Sequence, residues 1–259
     1  MRIVIKIGTS NITYSTGCLN LRHVEALVKV ISDVKNAGNE VILVSSGAIA
    51  MGTGKLNLSA RPSDIAGKQA CAAVGQCELM YTYDRLFGDY NHTVAQLLLT
   101  APDLEQTDRC EKFKATMGKL LDFKALPIIN ENDTVSTEEI EFGDNDTLAA
   151  KVGASIGADV IVLLSDINGL YTADPRSNPE ARFIPEVRVI DEKIMALGGG
   201  AGTAHGTGGM ETKLRAAKIA TDAGCDMIIM NGDNPENLYN IIDNTPIGTR
   251  FYSNKKLGS

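Results

Sequence analysis

Residues Val160-Ile161-Val162-Leu163-Leu164 form an unbroken apolar run. A strand of that kind has no polar face to turn to water, so both of its faces must be covered. Two more runs repeat the pattern: Ile3–Ile7, broken by Lys6, and Val41-Ile42-Leu43-Val44. Val94–Leu99, Leu126–Ile129 and Met227–Met230 read as further strands. Helical patterns lie between them. Leu21–Asn36 carries Leu21, Val24, Leu27, Val28, Ile31 and Val34 at helical spacing and stops at Gly38. Asp64–Phe87, Asp108–Phe123 and Met210–Ala223 also read as helices, with a closing helix near Pro235–Ile242. Alternating strands and helices predict a three-layer α/β/α sandwich around a mostly parallel sheet. The chain has 259 residues and is 44% hydrophobic, enough for a full core. It shows no internal repeat, low-complexity block or clear linker, so one domain over residues 1–259 is expected.

Composition removes several classes of function. The formal charge is 25 − 32 = −7, which argues against a broad basic face for nucleic acid. No run of eighteen apolar residues is present, so no membrane span is expected. The N-terminus opens directly on a strand-like segment and lacks the pattern of a signal peptide. Cys18, Cys71, Cys77, Cys110 and Cys225 form no C-x-x-C pair, which reads as a reduced, cytoplasmic protein. Cys71 and Cys77 are expected on the core face of a helix. His23, His92 and His205 are isolated, so a zinc site is not expected.

The polar positions gather where strands end. Lys6 sits near the end of a buried strand and is followed by Gly8-Thr9-Ser10. A buried ammonium needs an anionic partner, although a lysine snorkelling from an edge strand would leave the same trace. Val44 runs into Ser45-Ser46-Gly47-Ala48. There Ser46 and the backbone of Gly47 and Ala48 could hold a small anionic or amide group, or Gly47 could serve only a turn. Residues 52–63 read as a loop. The helix after it is rich in small residues (Ala66, Ala70, Ala72, Ala73, Gly75), a face suited to close packing, for instance against a partner subunit. Ile129 leads into Asn130-Glu131-Asn132-Asp133, and Ser136–Phe142 reads as a hairpin over the site. Next comes Gly143-Asp144-Asn145-Asp146, with Asp144 or Asn145 as candidate cap of a helix running to about Gly153 or Gly157. Ser165-Asp166 ends the Val160 strand, and Gly169–Arg176 follows as a loop. Residues 198–209 hold seven glycines, able to fold over a phosphate chain, and lead into a helix with Lys213 in its first turn. Thr249–Ser259 reads as a short polar tail.

No G-x-x-x-x-G-K-[ST] motif, strict G-x-G-x-x-G motif or catalytic-loop H-R-D is present. What remains is two lysines far apart in sequence, each beside a glycine-rich element, with carboxylates and amides on neighbouring strand ends.

These stretches, with Ala72-Ala73-Val74-Gly75-Gln76, Gly169–Arg176 and Gly206–Lys213, resemble the glutamate 5-kinase family of the amino acid kinase superfamily. They run in the family's order over nearly the whole chain. The resemblance implies an amino acid kinase (carbamate kinase-like) fold and ATP-dependent phosphorylation of the glutamate side-chain carboxylate, for proline synthesis. It implies that Lys6, Lys213 and Asp146 are catalytic, with Asp146 orienting the two lysines. Lys6, Gly8, Ser165, Asp166, Thr207, Gly208, Gly209, Met210, Glu211, Thr212 and Lys213 would bind ATP. Ser46, Gly47, Asp133 and Asn145 would bind glutamate. The part before about residue 150 would serve mainly glutamate and the remainder mainly ATP. Many relatives carry Thr where Ser165 stands, and many carry a C-terminal PUA domain that is not expected here.

The chemistry suits these residue types. A glutamate side chain titrates near about 4.3 and is already an anion at neutral pH, so it needs no general base. The difficulty is bringing it to an anionic triphosphate, which two lysines, backbone N–H groups and Mg²⁺ can ease. Mg²⁺ would be held by ATP oxygens and waters, with no protein ligand and no organic cofactor. Proline as feedback inhibitor, hand-off of product to gamma-glutamyl phosphate reductase and a homo-oligomer are further expectations. The competing readings are another kinase on this fold (acetylglutamate, aspartate, carbamate or uridylate), a non-catalytic amino-acid sensor, or an oxidoreductase.

Overall fold

The computed structural model describes residues 1–14, 16–136, 145–199 and 209–253. Its strands are β1 (Arg2–Ile7), β2 (Glu40–Ser45), β3 (Val94–Leu99), β4 (Leu126–Glu131), β5 (Val160–Ser165), β6 (Leu170–Tyr171), β7 (Phe183–Ile184), β8 (Glu186–Val187), β9 (Asp226–Asn231) and β10 (Thr249–Phe251). Eight of them make one sheet in the order β3-β4-β2-β1-β5-β9-β10-β8. The pairings from β3 across to β9 are all parallel, and β10 runs antiparallel to β9.

Side chains of a strand alternate between the two faces of a sheet. Ile3, Ile5 and Ile7 join Val41, Leu43, Val160 and Val162 in one apolar cluster. Helices Leu21–Asn36 and Ile65–Gly88 cover it with Leu27, Ile31, Tyr83 and Phe87. Val4 joins Ile42, Val44, Ile161 and Leu163 in a second cluster on the opposite face. There helices Thr107–Asp122, Asp146–Ile156 and Met210–Asp222 supply Phe113, Leu148, Val152 and Leu214. Each large side chain buried this way contributes roughly 1.5–3 kcal/mol, which is why unbroken apolar strands end up sandwiched.

Helix ends follow local chemistry. Asp64 accepts a hydrogen bond from the backbone N–H of Gly67 at 2.7 Å and starts the Ile65–Gly88 helix. Gly157, at φ 64°, ends the Asp146–Ile156 helix in the left-handed region.

Several expectations change. The segment after Gly47 is helical from Ala48 to Lys55, so the loop begins later than residue 52. Gly52 and Gly54 weaken helix propensity, but tertiary packing overrides them. Of the small residues of the Ile65–Gly88 helix, Ala72 and Gly75 are buried within the chain, and a Cβ on Gly75 would run into the carbonyl oxygen of Ala48, as one on Gly52 would into that of Cys71, whereas Ala66, Ala70 and Ala73 are exposed. Cys71 is buried as expected, whereas Cys77 is exposed. The polar tail begins as strand β10, with Phe251 fully buried. The closing helix near Pro235–Ile242 is a 3₁₀ turn followed by one α-helical turn. Of the hairpin expected over Ser136–Phe142, residues 137–142 lie outside the described residues.

From β1 the chain builds outward through β2 to β4 and β3, then returns to the other side of β1 with β5 and β9. The direction of winding reverses between β1 and β5. In open parallel sheets a ligand crevice lies beyond the carboxyl ends of the strands at such a point.

Candidate active site

Lys6 shares the sheet face of Val4, two residues before it. On that face the Asp146–Ile156 and Met210–Asp222 helices both begin. Nζ of Lys6 lies 2.7 Å from Oδ1 of Asp146, and Nζ of Lys213 lies 2.9 Å from Oδ2 of the same carboxylate. Asp146 is fully buried, and each lysine is 7% exposed. Burial alone would raise the pKa of Asp146, but the ammonium groups of Lys6 and Lys213 outweigh it and hold the carboxyl below its ordinary range. Two cations and one anion leave a net positive charge at the end of β1. Asp146 is the first residue of its helix and Lys213 is in the first turn of the other, so backbone N–H groups reinforce the positive potential.

A cleft of about 360 Å³ opens over this trio, lined by Lys6, Gly8, Ser46, Gly47, Asn145, Ser165 and Lys213 among others. Gly47 adopts φ 99°, which a residue with a side chain resists, and turns the chain from β2 into the Ala48–Lys55 helix. Ala48, Ile49 and Ala50, at that helix's N-terminus, also border the cleft.

Asn145 occupies the cap position of the Asp146–Ile156 helix, but its side chain does not cap. Instead Nδ2 donates to the Ser45 carbonyl oxygen at 2.7 Å, to Oδ1 of Asn130 at 2.8 Å and to Oγ of Ser46 at 3.0 Å. Asp144, the other candidate cap, lies outside the described residues. Asp133 lines the same cleft, as does Arg61. Burial pushes the Asp133 carboxyl up to about 6, and the charge of Arg61 opposes that rise.

On the far side, Ser165 donates to Asp166 at 3.2 Å, and Asp166 accepts from the Arg176 guanidinium at 2.6 Å. Burial would raise the Asp166 carboxyl, but its hydrogen bonds and Arg176 hold it low. The structure therefore brings Lys6, Gly8, Ser46, Gly47, Asp133, Asn145, Ser165, Asp166 and Lys213 to one cleft, with Asp146 beneath it. Gly209 is the cap residue of the Met210–Asp222 helix. Met210 packs against the second apolar cluster, Glu211 pairs with Arg215 at 3.0 Å, and Thr212 donates back to the Gly209 carbonyl. Thr207 and Gly208 lie outside the described residues.

A sequence model of the Amino acid kinase family matches residues 1–231. The chain belongs to the amino acid kinase family. It is 54% identical to a protein of Carboxydothermus hydrogenoformans named Glutamate 5-kinase, over 98% of this chain and 68% of that protein. It is 50% identical to one of the same name from Clostridium perfringens, over 98% and 96%. Among solved structures, carbamate kinase from Giardia lamblia bound to AMP-PNP matches with a TM-score of 0.68, 16% identity and 98% coverage of both chains. That likeness concerns the fold.

Asn130 and Arg61 line this amino acid kinase cleft without having been given a role of their own from the sequence. Asn130 is 2% exposed and ties Asn145 to the end of β4. An amide placed where an apolar strand meets the crevice was the signal for it. Arg61 sits in an exposed loop, and nothing in its local sequence marks it.

Proposed function

We infer that the chain transfers the γ-phosphoryl group of ATP to the side-chain carboxylate of L-glutamate. The products are L-glutamyl 5-phosphate and ADP, and the step opens proline synthesis from glutamate. The choice of acceptor is supported by relatives of that name at 54% and 50% identity. The geometric observation that carries the reading is the Asp146 carboxylate holding two buried ammonium groups at the end of the crevice.

A carboxylate oxygen of glutamate attacks the γ-phosphorus, the bond from that phosphorus to the bridging oxygen breaks, and ADP leaves with its electron pair. No proton has to move. Charge grows on the transferred group and on the leaving oxygen. Lys6 and Lys213 meet that charge, and Asp146 keeps both cations pre-positioned so that no reorganisation is needed in the transition state. Mg²⁺, if bound with the nucleotide, would supply charge neutralisation of the phosphates beside Lys6 and Lys213. Among the described residues no group of three His, Cys, Asp or Glu is placed to hold a metal. Asp146 is already committed to its lysines, which fits a metal carried by phosphate oxygens and waters.

Ser46, Gly47 and Asn145 bind the glutamate carboxylates, and Asp133 receives its ammonium group. Gly8, Ser165, Asp166 and the 207–213 segment hold ATP. The first 150 residues thus serve mainly glutamate and the rest mainly ATP, within a single domain. Proline shares the α-carboxylate and cationic nitrogen that Ser46, Asp133 and Asn145 read, so it competes with glutamate. Assembly of several copies, a cytoplasmic setting and delivery of the labile acyl phosphate to gamma-glutamyl phosphate reductase belong to the same reading. Among the described residues no helix is long and apolar enough to cross a membrane.

The test is ADP release with L-glutamate against N-acetylglutamate, aspartate, carbamate and UMP, with hydroxylamine trapping of the acyl phosphate. Glutamate-dependent ADP release with a γ-glutamyl hydroxamate is the expected result. Turnover of a different acceptor, or binding without turnover, would overturn the assignment.

A further inference from the structure

Gln76 sits on the sheet-facing side of the Ile65–Gly88 helix and is 8% exposed. Leu79 and Tyr83 follow it on that buried side. A polar side chain there costs stability unless it is hydrogen-bonded, and an apolar residue would pack without that demand. Oε1 of Gln76 accepts from Nδ2 of Asn130 at 2.9 Å.

The polarity of this contact is dictated by its neighbours. Oδ1 of Asn130 accepts from the backbone N–H of Glu131 at 2.9 Å, and a backbone N–H can only donate. The amino end of Asn130 therefore faces Gln76. Asn145 is fixed from the opposite side. Its Nδ2 lies 2.7 Å from the Ser45 carbonyl oxygen, which can only accept. That same Nδ2 reaches Asn130 and Ser46. Nδ2 has two hydrogens for these three acceptors, so Ser46 Oγ, at the longest distance, shares one; it can only accept in that contact, which leaves its own hydrogen to donate. Nδ2 of Asn145 is committed to the protein, so Oδ1 is the atom this side chain can offer a ligand. Ser46, Asn130 and Asn145 all border the cleft.

We propose that Gln76 is a positioning residue for the amino-acid substrate. By accepting from Asn130 it locks that amide. Through Asn130 it holds the Asn145 amide and the Ser46 hydroxyl with one acceptor and one donor directed at the substrate. The identity of that substrate rests on the glutamate reading above. Gln76 does not itself line the main cleft and reaches it through Asn130, so its influence is expected in the acceptor half.

Gln76→Met keeps the bulk and removes the acceptor. The expected result is a rise in glutamate KM of about tenfold, the loss typical of one misaligned buried hydrogen bond, with ATP KM and kcat within threefold of the parent chain. Gln76→Glu keeps an acceptor oxygen in either protonation state and should recover most of that loss. Because Gln76 also borders a second cavity of about 260 Å³, Gln76→Ala opens into existing space and carries the same forecast if Met is not accommodated. Placed on Asn145→Ala, Gln76→Met should add almost nothing, since both changes act on one network. Tyr83→Phe, which removes the 3.0 Å contact with Ser45 from the same helix, is the structural control and should leave the KM split unchanged. Glutamate KM within twofold of the parent in Gln76→Met, an equal rise in ATP KM, or a full independent effect on Asn145→Ala would each overturn the proposal. Glutamate-dependent ADP release by the parent chain tests the functional reading separately. If another acceptor is turned over instead, the same series read on that acceptor decides the role of Gln76.

Discussion

Lys6 and Lys213, 207 positions apart in sequence, are joined through the two oxygens of one carboxylate, at 2.7 Å and 2.9 Å from Asp146. Lys6 meets Oδ1 and Lys213 meets Oδ2, so the one carboxylate anchors both ammonium groups. The arrangement sets both cations on one side of the crevice before any ligand arrives.

Asp146→Asn preserves shape and removes the anchor. Glutamate KM should stay within a few fold while turnover falls steeply. Leaving two buried ammonium groups without a countercharge should also cost about 3–5 kcal/mol of stability, read as a lower midpoint in denaturant. The pH dependence follows from the sign. The folded pKa of Asp146 lies below its unfolded value, so its contribution is present above that unfolded value and is lost as pH falls through the folded one. The parent chain should therefore lose its advantage over Asp146→Asn in acid.

Asn145→Ala, one residue away, should do the reverse. It removes a group offered to glutamate and leaves the lysine trio standing. Glutamate KM should rise by up to roughly two orders of magnitude with a smaller change in kcat. Steady-state kinetics on the two variants decides the pair, and an exchange of their phenotypes would exchange the assigned roles.

Lys6→Ala and Lys213→Ala should each lower kcat by roughly a hundredfold or more, because the charge they meet is larger in the transition state than in bound substrate. Near-normal turnover with only a raised glutamate KM would contradict that role.

Asp133 titrates at about 6 in the folded chain, raised by burial against the opposing charge of Arg61. It must be ionised to receive an ammonium group, so kcat/KM for glutamate should fall as pH drops below about 6. Arg61→Ala removes the opposing charge and should move that limb to higher pH. For stability the sign is opposite to Asp146. The contribution of Asp133 is present below its unfolded pKa and is lost as pH rises through about 6. Asp133→Asn should gain stability over the parent at pH 7 and not near pH 4.

Gly75→Ala places a methyl against the carbonyl oxygen of Ala48. The helices must separate, at a cost of about 1–3 kcal/mol or more. Ala48 borders the cleft, so glutamate KM should rise with the fall in melting temperature.

The central strands were legible because burial on both faces removes polar residues from the sequence. The Leu21–Asn36 helix was legible to its boundaries because its apolar stripe is wide and Gly38 follows closely. Lys6 stood out as a charge in a buried strand, yet its partner lies 140 residues away and no local pattern names it. Periodicity failed where tertiary packing overrides propensity, at Gly52 and Gly54 in a helix that exists because it fits against Cys71 and Gly75. β10 was missed because three residues give too short a pattern to read. The amide relay through Asn130 and Gln76 depends on which atoms face one another, and spacing carries no trace of that.

β8 joins the main sheet through β10, whose residues 249–251 come more than sixty positions later. Thr249 accepts from the backbone N–H of Leu170 at 2.7 Å and donates to the Ile184 carbonyl at 2.5 Å. The segment between Asp166 and β8 therefore takes part of its hydrogen bonding from a strand far downstream in the sequence. The wall beyond Asp166 is thus stitched twice, locally by Asp166–Arg176 and β6–β7, and at long range by Thr249 and β10.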